Sequence, residues 1–427
     1  MAAIPRNELR FYSYKNERER IVVDTTQLTD IKRKRKFLFA EILAFLLISV
    51  QLALYVFMWL HLLRDPSIKG MDFISFYTAG RIARQSNYHL LFDLDTQRTV
   101  QTSILTTDIF AGGVNLSQHP PYIAPLLSLL AIDDFVHSYI LWTLVRLVVM
   151  VACGELIRHF LIHSGWDSFS ALLGTLGSLC FFPFFLGLLG GQDTAFIMLG
   201  LLLWMFGMLE VNEIRAGFGL ALASLSPLVA GALGLPLLAT GRKASIWFIL
   251  AMLLLVLYSL SLIGFQGGKD FIGLLHLSSQ GEGLGLNQPA MYNLLGFLLR
   301  NFPDLSKQVS RLISWGAFIT SITFIIFWWN KRKNLRVEHL GIAVVLNIFT
   351  LPHLHAHGLS YLLLPLLGMV TILYKRGFKT SALILIPVIS TILLFSAFMI
   401  SSINYALYYL LMSVLFGGLW ISLRNSC

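Results

Sequence analysis

Apolar segments long enough to span a lipid bilayer recur along almost the whole chain, and this feature constrains the fold most strongly. The first runs from Phe37 to Leu63, and others follow at short intervals up to residue 423. A transmembrane helix needs about 20 predominantly apolar residues. Only 13% of the 427 residues are charged, about half of the share that soluble domains carry. The sequence therefore predicts an all-α integral membrane protein and excludes a soluble enzyme.

The later apolar segments contain one interruption. They lie at about 138–160, 168–189, 192–209, 217–239, 244–265, 309–329, 339–352, 358–374, 380–400 and 404–423. The stretch Gly217–Thr240 carries Ser226-Pro227 in its middle. Proline-broken helices at membrane depth are tolerated where they line a cavity. We therefore read this stretch as two short helices that meet near Ser226-Pro227, which gives about twelve crossings with both termini in the cytoplasm.

The basic residues follow the same topology. The polar segment 1–36 ends in the run Lys32–Lys36, and no pattern typical of a signal peptide follows it. Basic segments next to a span stay cytoplasmic, although this run could also contact anionic lipid headgroups. More than twice as many of the 32 Lys and Arg residues fall on the predicted cytoplasmic side as outside. The net charge of +10 is therefore a topology signal, and nucleic-acid binding is not expected.

The polar, motif-rich segments gather on the predicted outer face. The first outer loop, residues 64–137, holds amphipathic patterns around Phe73–Arg84 and Gln97–Thr107. After Pro120-Pro121 comes an apolar run too short for a span, which is typical of a helix lying at the membrane interface. A second large outer loop covers residues 266–307. The functional site is therefore expected on the outer face, at the lipid boundary.

One carboxylate stands just beyond the first span, in the string from Met71 to Gly80. Asp72 precedes the aromatic residues Phe73, Phe76 and Tyr77, and an acid at an apolar boundary can serve as a general base. The alternative is structural, because an aspartate in front of an amphipathic helix accepts backbone N–H bonds as an N-cap.

Further polar motifs on the outer face each allow two interpretations. Gln192 and Asp193 open a predicted span, where they could bind a polar substrate or cap the helix. Asn287 and Gln288 precede an amphipathic helix, Ala290–Leu299, that ends in Arg300. An arginine beside lipid is suited to bidentate phosphate binding, but it could also extend its charge to the interface.

Histidines and one intramembrane arginine complete the set of candidates. His353, His355 and His357 follow Pro352, and in an extended chain alternate positions face one side. They could bind a metal, or they could hydrogen-bond a substrate or orient a base. Asp93 and Asp95 form a D-x-D motif, which occurs in some metal-binding sites. We assign no metal ligand, and a divalent-metal requirement is left open. Arg146 lies inside a span, where an unpaired charge is costly, which makes it a functional candidate.

Together these strings resemble the family 87 glycosyltransferases in order and spacing, over roughly residues 37–375. The residues that carry the resemblance are Asp72-Phe73 with Phe76-Tyr77 and Ala79-Gly80, Leu91-Phe92-Asp93 with Gln97, Pro120-Pro121, Gly191-Gln192, Asn287-Gln288 with Leu294-Leu295 and Arg300, and Pro352-His353 through Leu364-Pro365. Residues 376–427 are predicted as C-terminal transmembrane helices.

The resemblance implies a type C glycosyltransferase-like bundle. Members of this superfamily are multi-span enzymes that transfer a sugar, often mannose, from a polyprenyl-phosphate donor at the non-cytoplasmic face. The expected function is hexosyl transfer to a lipid-linked or cell-envelope glycan acceptor at the outer face, most naturally of the plasma membrane. No cofactor is expected to be required. The alternative is a polytopic transporter or lipid flippase, in which broken helices also occur. We find no internal repeat, and the polar motifs lie at one face.

The resemblance implies a role for Asp72, and the other roles are our assignments from the residues and the expected chemistry. Asp72 occupies the position of the catalytic carboxylate and is the expected base of an inverting transfer, with His357 as its orienting or assisting partner. Arg300 is the leading candidate for the donor phosphate, with Arg81 and Arg84 in reserve. The expected substrate contacts are Tyr77, Gln192, Asp193, Asn287, Gln288, His353 and His355.

Overall fold

The computed structural model describes residues 8–65, 68, 71–104, 115–280, 288–399 and 401–425, with side chains from residue 34 onwards except at 278–280. Every regular element in these ranges is a helix, and no strand occurs in them. The all-α prediction is therefore confirmed.

The α-helices are separated by short turns, several of which are 3₁₀-helical. In chain order they are α1 (Glu8–Leu62), α2 (Phe73–Arg84), α3 (Leu94–Thr102), α4 (Ala124–Leu130), α5 (Phe135–His163), α6 (Ser168–Leu179), α7 (Phe182–Gly190), α8 (Thr194–Leu209), α9 (Glu213–Leu222), α10 (Pro227–Ala239), α11 (Ala244–Gln280), α12 (Leu294–Asn301), α13 (Lys307–Asn330), α14 (Val337–Thr350), α15 (Leu363–Lys375), α16 (Lys379–Ser396) and α17 (Ser401–Arg424).

Among the described residues, seven helices are long and apolar enough to cross a membrane, which supports a multi-pass membrane protein. The pair α6 and α7, bent by 48°, adds an eighth if the pair counts as one span. The predicted count of about twelve crossings is not confirmed. Predicted spans such as α14 are too short, because its 14 residues extend only about 21 Å. The interfacial position predicted for the short helix α4 is likewise not confirmed.

The predicted break at Ser226-Pro227 is confirmed. Helix α9 ends at Leu222, a 3₁₀ turn covers Ala223–Leu225, and α10 begins at Pro227. Ser226 adopts an extended conformation with φ −108° and ψ 92°, as expected for a residue before proline. Tyr122 and Ser224 share a 3.0 Å hydrogen bond between their hydroxyls, so the break is bonded to the segment predicted as the first outer loop.

A second break was not predicted, because residues 168–189 read as one continuous span. Helices α6 and α7 are separated at Phe181, whose backbone is extended. The Ser390 hydroxyl on α16 donates to Cys180 O at 2.8 Å and accepts from the Phe182 N–H at 2.9 Å. These bonds satisfy the backbone groups that a broken helix leaves free at membrane depth.

The centre of the bundle is formed by the segment that ends in α15. The candidate span Ala356–Lys375 is 72% buried, whereas the other spans are 17–44% buried. Around it pack α7, α8, α14 and α16. The three clustered histidines lie at the start of this central segment, with His353 and His355 just before it and His357 in its first turn, so they are held deep in the protein.

Helix α2 has the bounds that the amphipathic pattern predicted, and it is packed closely on α4. A Cβ atom at Gly80 would lie 2.6 Å from Leu127 O and 2.6 Å from the Ala131 Cβ. This close approach requires glycine. Helix α2 is thereby fixed in place, and with it Asp72, which immediately precedes its first residue.

Candidate active site

A cavity of about 430 Å³ collects motifs that are far apart in the sequence. Its walls come from the start of α2, the turn between α7 and α8, the break before α10, the first turns of α13 and the histidine segment before α15. Of the predicted site residues, those that line it are Asp72, Gln192, Asp193, Gln288, His353, His355 and His357.

The carboxylate of Asp72 does not cap α2. Asp72 occupies the N-cap position with helical φ and ψ of −58° and −22°, and its side chain makes no capping hydrogen bond. Its Oδ2 instead accepts a 2.6 Å hydrogen bond from Nε2 of Gln192, 120 residues away in the chain. The structural alternative for Asp72 is therefore wrong, and the carboxylate faces the cavity.

The glycine before Gln192 explains how its amide reaches Asp72. Gly191 ends α7 in the left-handed conformation with φ 81° and ψ 16°, a common helix C-terminus. A Cβ atom at this position would lie 2.4 Å from the Cβ of Phe73. Only glycine allows the turn to contact α2 this closely, and the contact places Gln192 beside Asp72.

Asp193 pairs with a histidine that the sequence analysis did not assign to the site. Asp193 stands at the N-cap position of α8 but makes no side-chain cap. Its Oδ2 lies 3.4 Å from Nδ1 of His119, with 7% of the Asp193 side chain exposed. The His119 ring stacks on Phe76 at a centroid distance of 3.7 Å and lines the cavity. The signal in the sequence was the string His119-Pro120-Pro121-Tyr122, in which a histidine directly precedes two prolines.

The three histidines form one wall, as their alternate spacing predicted. Ring centroids are 4.8 Å apart for His353 and His355, and 6.4 Å apart for His355 and His357. Burial, with a smaller contribution from the neighbouring imidazoles, lowers the pKa of His353 to about 3 and that of His355 to about 4. Both rings are therefore neutral near pH 7 and act as hydrogen-bonding groups rather than cations. Within the described ranges, no group of three or more His, Cys, Asp or Glu side chains could hold a metal ion.

These pKa values predict an acid-sensitive fold. In the unfolded chain both imidazoles recover a pKa of about 6.5, so the unfolded state binds more protons between about pH 6.5 and pH 4. The free energy of unfolding should therefore fall as the pH drops through this window. We expect the Tm of the detergent-solubilised protein to fall between pH 7.5 and pH 4.5. The double variant His353→Gln, His355→Gln should show a clearly flatter profile, and equal profiles would contradict the prediction.

Tyr77, Arg81 and Arg84 do not line the cavity. Their side chains hold α2 to the turn after α4. The Tyr77 hydroxyl donates to Ile132 O at 2.8 Å, Arg81 pairs with Asp133, and Arg84 donates to Ala131 O at 3.3 Å. Their substrate roles stay predictions that this geometry does not favour. Asp93 of the D-x-D string caps α3 by accepting from the Thr96 N–H at 2.8 Å.

Arg300 also lies outside the cavity wall. Its guanidinium donates to the carbonyls of Pro289 and Met291 and to the Tyr409 hydroxyl, and it stacks 3.6 Å from the centroid of the Tyr405 ring. These contacts hold the segment that brings Gln288 and Met291 to the cavity. Asn287 lies outside the described residues.

The cavity has its own arginine, which sequence reasoning did not single out. Arg311 lies in the second turn of α13, half-buried, and its Nη2 donates to Oε1 of Gln288 at 3.4 Å. It lines the same cavity as Asp72. The sequence feature that could have identified Arg311 is its position, a basic residue just inside the predicted outer end of the span 309–329.

Arg146 is completely buried in α5, and apart from the Thr143 hydroxyl its hydrogen-bond partners are backbone carbonyls. The guanidinium donates to Gly187 O at 3.1 Å, to Leu188 O at 2.7 Å and to Gln192 O at 3.3 Å. No sequence motif identifies such partners, because every residue has a carbonyl.

The model of glycosyltransferase family 87 matches residues 118–352, which is more than half of the chain. No curated protein and no solved structure was found to match. The matched region contains His119, Gln192, Asp193 and Arg311 of the cavity wall, and it ends just before the three histidines. The chain therefore belongs to glycosyltransferase family 87.

Proposed function

We propose that this membrane glycosyltransferase moves a hexose, with mannose as the expected sugar, from a polyprenyl-phosphate donor to a lipid-linked or cell-envelope glycan. Transfer takes place at the non-cytoplasmic face, in a plasma-membrane protein of about twelve crossings with both termini in the cytoplasm. The observation that carries the proposal is the Asp72 carboxylate, which faces a polar cavity and is held by Gln192.

The proposed reaction is a single inverting displacement. Asp72 takes the proton of the acceptor hydroxyl while its oxygen attacks C1 of the sugar from the face opposite the phosphate. The new C–O bond forms as the bond from C1 to the phosphate oxygen breaks, and the electron pair leaves with the polyprenyl phosphate. His357 lines the same cavity as Asp72 and Asp193. We assign it to orient the acceptor hydroxyl.

Negative charge grows on the phosphate as the bond breaks, so a preorganised cation lowers the barrier. Arg311 is the arginine that the cavity wall supplies, and the guanidinium geometry suits two phosphate oxygens at once. We therefore assign the donor phosphate to Arg311 instead of Arg300, whose donors are directed to backbone carbonyls and a tyrosine.

An apolar side of the cavity supports a lipid-linked donor. Its apolar lining residues include Pro227 and Leu228 at the start of α10, Leu275 of α11 and Trp315 of α13. A prenyl chain placed here buries its methylene groups against apolar side chains, with its phosphate near Arg311 of the same α13.

The proposal is tested by incubating the purified protein with radiolabelled polyprenyl-phosphate-mannose and a panel of glycan and glycolipid acceptors. Labelled glycan product together with free polyprenyl phosphate is the expected result. The alternative function predicts something different: in liposomes, the donor lipid would move across the bilayer with no change in its covalent structure. That outcome would overturn the proposal.

A further inference from the structure

The buried guanidinium of Arg146 belongs to a larger arrangement on α5. Tyr139, Trp142 and Arg146 are spaced i, i+3 and i+7, so they lie on one face of the helix. The Tyr139 hydroxyl donates to Leu189 O at 2.7 Å, and Nε1 of Trp142 donates to Gly191 O at 2.8 Å. With the Arg146 bonds, side chains of α5 hold nearly every carbonyl between residues 187 and 192.

Three of these carbonyls, those of residues 187–189, belong to the last turn of α7, where a helix leaves its carbonyls without a partner. The last four carbonyls of α7 have no partner inside the helix, and they carry the negative end of its dipole. Arg146 is suited to this place because one planar guanidinium reaches several carbonyls at once. Its Nη1 bonds to Gly187, Leu188 and Gln192, so the end of the helix and the following turn are held by a single group.

The held turn is also the one that contacts Asp72. The carbonyl of Gln192 accepts a hydrogen bond from Arg146, and its backbone N–H donates to Gly187 O at 2.9 Å. The side-chain amide of Gln192 donates to the Asp72 carboxylate. We propose that Arg146 is a positioning residue for sugar transfer: it fixes the turn 187–192 so that Gln192 holds the Asp72 carboxylate in its reactive orientation. This inference rests on the proposed role of Asp72.

The first test is kinetic. Because a displacement of about 1 Å at a reacting group costs about 100-fold in rate, Arg146→Gln should lower kcat by roughly that factor, with the KM for the donor little changed. Arg146→Lys should recover part of the loss, since it keeps the charge. The control is Arg158→Gln on the same helix, an exposed residue paired with Glu155, which should leave kcat unchanged.

A double-mutant cycle separates positioning from a general structural effect. If Arg146 acts through Gln192, adding Arg146→Gln to Gln192→Ala should lower kcat further by less than about 3-fold, because contacts in one network are not additive. Fully multiplicative effects would overturn the positioning role.

A measurement that does not depend on sugar transfer tests the role of Arg146 separately from the proposed function. Hydrogen exchange of the peptide covering residues 186–193 should speed up in Arg146→Gln, and to a smaller extent in Trp142→Phe, which serves if the arginine variant fails to fold. Unchanged exchange in the folded variants would overturn the inference even if the wild type transfers sugar. If exchange is faster in Arg146→Gln but the wild-type protein transfers no sugar, the proposed function is rejected, whereas the finding that Arg146 holds the turn stands.

Discussion

Asp72→Asn is expected to lower the kcat of sugar transfer by about 10³-fold, the size of a typical general-base contribution. Asparagine keeps an oxygen that can accept the Gln192 amide bond but cannot take a proton from the acceptor hydroxyl. Membrane insertion and Tm should therefore be unchanged. The measurement is product formation with the radiolabelled donor, at a fixed concentration of purified protein.

A matched control comes from the same part of the chain, residues 64–137. Asp95 is exposed and pairs only loosely with Arg98, at 3.5 Å, so Asp95→Asn should retain wild-type activity. If Asp72→Asn were as active as this control, Asp72 would not be the base and the proposed mechanism would be wrong.

Arg311→Gln is expected to lower kcat/KM for the polyprenyl-phosphate donor by about 100-fold, because it removes the cavity's arginine where phosphate charge develops. Arg311→Lys should recover part of the activity, since it keeps the charge and loses the bidentate geometry. The glutamine variant should change Tm little, as the side chain is half-buried beside the cavity. Donor titrations at saturating acceptor provide the comparison.

Arg300→Gln distinguishes the two candidate phosphate residues. It removes hydrogen bonds to two carbonyls and one tyrosine, which should cost about 2 kcal/mol or more of stability. We therefore expect a lower Tm with donor KM nearly unchanged. The opposite pattern, a raised donor KM in Arg300→Gln and a wild-type KM in Arg311→Gln, would restore the assignment made from sequence.

Local sequence patterns predicted helix bounds well where an amphipathic face or a proline determines them. The amphipathic stretch Phe73–Arg84 became α2 with the same bounds, and the Ser226-Pro227 break was confirmed. The break at Phe181 was missed, although Pro183 lies in the first turn of α7. A proline at that position is compatible with an unbroken span, and the deciding contact is Ser390, more than 200 residues away.

The sequence by itself determined that this is a helical membrane protein, because apolar length and charge are properties of the chain, and it predicted that the polar motifs lie on one face. Only the tertiary structure decided what each of these polar side chains contacts. Asp72 could cap or react from its sequence alone, and in the structure it makes no cap and accepts a hydrogen bond from Gln192. Arg311, which no motif marked, lines the cavity, whereas the guanidinium of Arg300 is bonded to carbonyls and a tyrosine outside it. The physical reason is that these roles depend on how helices rotate and pack, and on backbone carbonyls such as those that hold Arg146, which leave no mark in a sequence.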